Sequence, residues 1–296
     1  MKSPSFHIVD VFAEERYTGN QLAVCRDVEE LSGNEMQLIA KEMNYSETTF
    51  ILSEEERAGG YDVRIFTPEE ELPFAGHPTL GTAYILQQEV IRKPVAEIKL
   101  NLPVGQIPVR LNYDEEGNPV VLWMRQKEPN FGRTFAADKI ARVLHLEPAE
   151  IDNNYPIQEV STGLPFIIVP VRTLRAVKEA KLDYDNYFRL IENTASKSLF
   201  AFCPETYLAE NQLHARDFTA YYGVPEDPAT GSANGCLAGY LVKYRYLSED
   251  KIDITVEQGY EVKRPSLLYL QAEERDGRIN VTVGGKVQKV AYGKFI

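Results

Sequence analysis

The 296-residue sequence predicts an α+β protein built as two similar domains in tandem. Three observations carry that prediction. Short runs of strand-forming residues alternate with a small number of helical stretches along the whole chain. The order strand, turn, strand, helix, strand, glycine turn, helix recurs about halfway: Arg64 and Phe66 reappear 152 positions later as Arg216 and Phe218, and Gly76, Ala83 and Leu86 reappear 155 positions later as Gly231, Ala238 and Leu241. Each half also sets a glycine-containing turn directly before a helix, AGHPTLG at 75–81 and ATGSANG at 229–235. A period near 150 is too long for a solenoid, and an insertion of three residues reconciles the two spacings.

The elements follow in order. SFHIVDVF alternates apolar and polar residues as a half-buried strand does, and the TGN turn at 18–20 leads into a second strand, LAVC. Ser32 is placed to cap a helix over GNEMQLIAKEMN, in which Met36, Leu38, Ile39 and Met43 fall near helical spacing. SETTFIL reads as a strand with Glu47 at its entrance. YDVRIFTP is another, ended by Pro68, and LPFAGHPTLGTAYILQQ passes from a turn into a helix of small and apolar residues. Residues 95–124 give strand, turn and strand. The composition turns polar after Gln126, in QKEPNFGRTF, and a short helix AADKIARVLHL follows; the boundary placed there divides the chain into 1–126 and 127–284. Beyond it STGLPFIIV answers YTGNQLAVC, a helix around DYDNYFRLIEN and a strand around SLFAFC take the next places, RDFTAYYG answers RIFTPEEE, and DPATGSANGCLAGYL answers FAGHPTLGTAYIL. Three or more strands close the sequence, the last of which, about 285–296, is expected to return to the first domain.

Composition narrows the function. With 32 basic and 44 acidic side chains the formal charge is −12, and no Lys or Arg run offsets it, so nucleic acid and anionic membrane are not expected partners. No apolar stretch approaches the roughly 20 residues of a membrane span, and MKSPSFHIVDVF lacks the features of a signal peptide, so a cytoplasmic location is expected. Cys25, Cys203 and Cys236 are widely spaced and read as buried thiols. The four histidines show no metal-ligand spacing, and neither nucleotide-binding glycine fingerprint is present, so neither a metal nor a cofactor is expected.

The chemistry is expected at the two glycine turns. Backbone N–H groups at a helix start, aided by the helix dipole, suit a carboxylate or phosphate, and two such termini facing one cleft would grip a small anionic metabolite. Glu47, His77, Asp227 and Ser232 are the candidate side chains. Glu47 is a solvated acid or, if desolvated in a cleft, a carboxyl tuned to carry protons. His77 is a donor to substrate or an ordinary exposed loop histidine, Asp227 a substrate ligand or a turn initiator, and Ser232 a substrate ligand or a helix cap. TGSAN is not the G-x-S-x-G elbow, which argues against a serine nucleophile.

The segments VDVFAEERYTGNQLAVC, MNYSETTF, RIFTPEEELPFAGHPTLGTA, VSTGLPFIIVP and EDPATGSANGCLAGYL run in order over nearly the whole chain, and in this it resembles the PhzF-like isomerases of phenazine biosynthesis, within the diaminopimelate epimerase-like fold. The resemblance implies that each domain is a barrel-like sheet wrapped around a central helix, with the active site in the cleft between domains. It implies Glu47 as general acid/base, with His77, Asp227 and Ser232 holding and polarising the substrate, and Gly76, Thr230 and Gly231 binding its anionic groups. It also implies cofactor-free migration of a proton and double bond, and a homodimer. Related epimerases use two thiols, one per half; the corresponding positions here read as Ala75 and Ala229, which argues against two-thiol racemisation. The alternatives are a non-catalytic binding or interaction protein on the same fold, or an epimerase pairing Glu47 with another base.

Overall fold

The computed structural model describes residues 3–296, and these form two compact units. Unit 1 runs to Met124 and includes Gly284–Ile296, and unit 2 is Arg125–Val283. In unit 1 the strand Ser5–Val11 lies antiparallel between Asn20–Arg26 and the C-terminal strand Val287–Lys294. Asn20–Arg26 runs parallel to Thr48–Ile51, which is antiparallel to Tyr61–Phe66. Tyr61–Phe66 carries the two-residue strand Glu71–Leu72 antiparallel and pairs in parallel with Glu97–Leu102; Gly105–Tyr113 and Pro119–Arg125 extend the sheet antiparallel.

Unit 2 repeats this order of pairings. Ile157–Ser161 lies antiparallel between Pro165–Pro170 and Asn130–Phe135. Pro165–Pro170 runs parallel to Leu199–Cys203, which is antiparallel to Leu213–Phe218. That strand carries Glu226–Asp227 antiparallel and pairs in parallel with Lys251–Gln258, which turns back antiparallel into Ser266–Arg275.

Each unit is a barrel-like sheet around one central helix, Gly76–Ile85 in unit 1 and Gly231–Lys243 in unit 2. Their sequences explain the position. Neither has a polar stripe: nearly every residue from His77 to Ile85, and from Ala233 to Val242, is buried, as a helix apolar all round requires. Small residues let the sheet close on them. A Cβ on Gly81 would lie 2.5 Å from Leu22 Cδ2, and one on Gly239 would lie 2.5 Å from Pro129 Cγ. The unit 1 helix ends sooner than its composition suggests, continuing as a wider π turn over Leu86–Ile91.

Side chains repeat as well. Arg64 donates from Nε and Nη2 to Glu71 at 2.7 and 2.6 Å, with its guanidinium 4.9 Å from the Phe66 ring. Arg216 does the same to Glu226 at 3.0 and 2.7 Å, 4.7 Å from Phe218. The expected Ser32 cap is present as a full capping box with Glu35 over the helix Gly33–Met43. Unit 2 has three short helices, Ala137–Val143 before its second strand and Leu174–Glu179 and Tyr184–Ile191 in the chain position that Gly33–Met43 holds in unit 1, and its apolar cluster contains Ile140, Leu144, Tyr187 and Leu190. The second of these has no counterpart in the sequence reading. The three cysteines are free and buried, as expected. Among the described residues no helix is long and apolar enough to cross a membrane.

Candidate functional site

In unit 1 two elements deliver Glu47 and His77 to the same place. The helix Gly33–Met43 stops at Asn44, whose left-handed backbone (φ 54°) turns the chain back, and Glu47 is the last residue before the buried strand Thr48–Ile51. His77 is the second residue of the central helix, with its side chain only 8% exposed. Its Nε2 lies 3.4 Å from Glu47 Oε2. The ring bonds to the Gln21 backbone, and since Nε2 makes no hydrogen bond, that contact falls to Nδ1–H and the Gln21 carbonyl. A carboxylate at this distance would favour the imidazolium. Burial acts the other way and is the largest influence, pushing His77 down to about 3 from the usual 6.5 against the Gln21 hydrogen bond, which favours the charged ring. A neutral ring with its proton on Nδ1 presents the Nε2 lone pair to Glu47. Below the pair, Thr82 Oγ1 donates to Thr49 Oγ1 at 2.8 Å and ties the central helix to the strand that Glu47 leads into.

The helix start has no side-chain cap. Ala75 occupies the N-cap position and supplies no side-chain acceptor, so the first backbone N–H groups, of Gly76 and His77, have no intrahelical partner. The unit 2 helix starts in the same way, with Thr230 at the N-cap and its side chain making no capping bond. The Thr230 hydroxyl instead donates to Asp227 Oδ2.

A buried glutamine braces this second turn. Gln258, wholly inaccessible at the end of strand Lys251–Gln258, donates from Nε2 to the Asp227 carbonyl at 2.8 Å and to Thr230 Oγ1 at 3.2 Å. Its Oε1 accepts from Thr230 N at 3.1 Å and from Asn234 Nδ2 at 2.9 Å. Gly259 beside it has φ +79°, and a Cβ there would lie 2.5 Å from the Pro228 carbonyl oxygen. The turn therefore presses against backbone that only glycine accommodates.

The candidates from the sequence thus fall into two groups. Unit 1 brings Glu47, His77 and Gly76 together, and unit 2 brings together Asp227, Thr230, Gly231 and Ser232. One equivalence changes. The central helices begin at Gly76 and Gly231, so the residue in the place of Ala75 is Thr230 and not Ala229. Neither helix start carries a thiol, and burial raises the thiols of Cys203 and Cys236 to about 12, far from a reactive range. Ser232 is the second helical residue and not the cap. Sequence reasoning missed Gln258: it acts on a turn 28–31 residues away, and no local pattern marks such a contact.

A family model described as phenazine biosynthesis-like protein, PhzC-PhzF, matches residues 9–293. An uncharacterised isomerase of Mesorhizobium japonicum is 33% identical over 302 residues, covering 100% of this chain and 99% of the relative. Trans-2,3-dihydro-3-hydroxyanthranilate isomerase of Pseudomonas aeruginosa is 33% identical over 288 residues, covering 97% of each. The crystal structure of a PhzF-family phenazine biosynthesis protein of Bacillus anthracis superposes with a TM-score of 0.90 at 27% identity, over 100% of both chains.

Proposed function

The chain belongs to the phenazine biosynthesis-like (PhzC-PhzF) family, whose named relatives are isomerases, and on that premise we propose that it is a cofactor-independent isomerase that moves a proton and a double bond within a small carboxylate-bearing metabolite. The observation that supports this most directly is the Glu47–His77 pair, a half-buried carboxyl 3.4 Å from the bare nitrogen of a neutral imidazole. In the proposed reaction the Glu47 carboxylate removes a proton from a substrate carbon and, as a neutral acid, returns it to a second carbon on the same face. Nε2 of His77 accepts the hydrogen bond of the protonated carboxyl and holds it in place, its own ring fixed through Nδ1 by the Gln21 carbonyl.

The N–H groups at Gly76 and Gly231 hold anionic groups of substrate, and Asp227, Thr230 and Ser232 complete the set at the unit 2 turn. Trans-2,3-dihydro-3-hydroxyanthranilate, specified by the name of the Pseudomonas relative, is the first substrate to try. Replacing Glu47 by Gln keeps the side chain's size but removes its acid/base capacity. Turnover is expected to fall by a factor of about 10²–10⁴, with ligand-induced thermal stabilisation retained. An active Glu47→Gln enzyme contradicts the assignment. The same proposal includes a homodimer in the cytoplasm, and sedimentation equilibrium of the purified chain checks its oligomeric part.

A further inference from the structure

The duplication supplies an internal control for unit 2. In unit 1 the short strand pairs with its neighbour as Ile65 opposite Leu72 and Phe66 opposite Glu71. In unit 2 the equivalent pairs are Asp217 opposite Asp227 and Phe218 opposite Glu226. The arginine–glutamate ion pair and the arginine–phenylalanine stack are the same in both units, so the register is shared. Where unit 1 has two aliphatic side chains, unit 2 has two carboxyls. Residues directly opposite in an antiparallel pair share a face with Cβ atoms roughly 4.5–5.5 Å apart, and like charges there repel.

The fold does not need carboxyls at this point, as Ile65 and Leu72 show, and Asp217 is costly where it stands. It is wholly inaccessible, and neither of its carboxyl oxygens meets a hydrogen-bond donor in good geometry among the described residues. The groups that act on it are acidic or neutral: Asp227 and Glu226 on the short strand, Thr230 at the helix start, Tyr187 and Tyr222 on the neighbouring helix and turn, and Cys236 on the central helix. Burial first and the Asp227 charge second hold the Asp217 carboxyl well above the usual carboxylate range. The Thr230 hydroxyl is the one influence in the other direction, and its proton is given to Asp227 Oδ2.

We infer that Asp217 and Asp227 form a carboxyl pair that holds one proton at neutral pH, with Asp217 as the positioning residue: its neutral acid donates to Asp227 and fixes that side chain as a single, oriented negative charge at the start of the unit 2 helix. Two carboxyls sharing one site titrate as a pair, one early and one late. The consequence for function rests on the reading of Asp227 as a substrate-holding group; the proton itself does not.

The first test uses the ligand-free full chain with ¹³C-labelled aspartate side chains. One carboxyl should keep the chemical shift of a protonated acid through about pH 7, and that signal should be missing in Asp217→Asn. If every aspartate carboxyl is ionised by about pH 6, the pair is refuted. Thermal unfolding of Asp217→Ile, which copies the unit 1 residue, provides an independent readout. Its melting temperature should gain on the parent protein as pH rises from about 4 to 8, because a buried acid that must stay protonated weakens the parent increasingly over that range. A difference that does not change with pH overturns the proposal. For substrate, the parent's KM should rise on the alkaline side as the shared proton leaves, whereas the D217N profile stays flat there. If the labelled signal behaves as expected but the two KM profiles coincide, the substrate-holding role of Asp227 fails and the proton-sharing pair stands.

Discussion

His77 gives a test of the site that needs no substrate. Its ring is buried and neutral, pushed down to about 3, whereas an unfolded chain protonates it near 6.5. Above about pH 6.5 both states are neutral and the group adds no pH dependence. As pH falls below that value the unfolded chain binds a proton that the folded one refuses, so stability is lost at about 1.4 kcal/mol per pH unit. Between pH 8 and 4.5 this amounts to about 2.7 kcal/mol from one residue, most of it below pH 6.5. His77→Gln removes the ionisation, so its unfolding free energy should decline less steeply by that amount. Urea unfolding of both proteins at half-unit steps from pH 8 to 4.5 measures the difference, and comparing the two cancels the titrating groups that do not touch residue 77; Glu47→Gln in both backgrounds removes the one that does. Parallel profiles would refute the buried neutral ring. A gap of the opposite sign, with the parent gaining stability toward pH 6, would mean that the ring is an imidazolium paired with Glu47.

Two further predictions concern the scaffold. The repeated ion pair differs in burial: Arg216 and Glu226 are 9% and 8% exposed, whereas Arg64 and Glu71 are 31% and 34% exposed. Arg216→Met, which also strands the carbonyls of Val177 and Ala180, should cost about 3–5 kcal/mol of unfolding free energy, and Arg64→Met about 1 kcal/mol or less; equal costs would contradict this account of burial. Gly259→Ala places a methyl in a left-handed backbone position 2.3 Å from the Arg264 carbonyl oxygen and 2.5 Å from that of Pro228. It should destabilise by roughly 1–3 kcal/mol and raise KM more than it lowers kcat, because it displaces the turn that holds Asp227, and unchanged kinetics would argue against that turn as a binding element.

Much of the architecture is legible in the sequence because its signals are local. The Ser32 and Glu35 side chains cap their own helix, the alternation in SFHIVDVF marks one strand, and glycines at 76 and 231 mark the two central helices. The repeated arginine and phenylalanine reveal the duplication because the same local pairing is needed twice. Glu47 and His77 stand out by residue type, but their 3.4 Å approach depends on a helix and a strand entrance separated by 30 positions. What stays hidden is set by tertiary contact. Gln258 looks like any strand residue, and the Asp217–Asp227 pair arises only when a two-residue strand folds back. By contrast, the match of Thr230 to Ala75 is within reach of the sequence, because the spacing of 155 between Gly76 and Gly231 already implies it and the two helix starts agree.

The claim on which the account depends is that Glu47 carries the migrating proton, and the fate of that hydrogen tests it most directly. Trans-2,3-dihydro-3-hydroxyanthranilate, or a substrate found by thermal-shift screening, is labelled with deuterium at the labile carbon and followed by NMR. With the parent protein the account predicts that the label leaves that carbon, and that part of it reappears at the new position on the same face. With Glu47→Gln, which still binds the ligand, the label should stay in place. Release of the label by Glu47→Gln at the parent's rate would show that another group moves the proton.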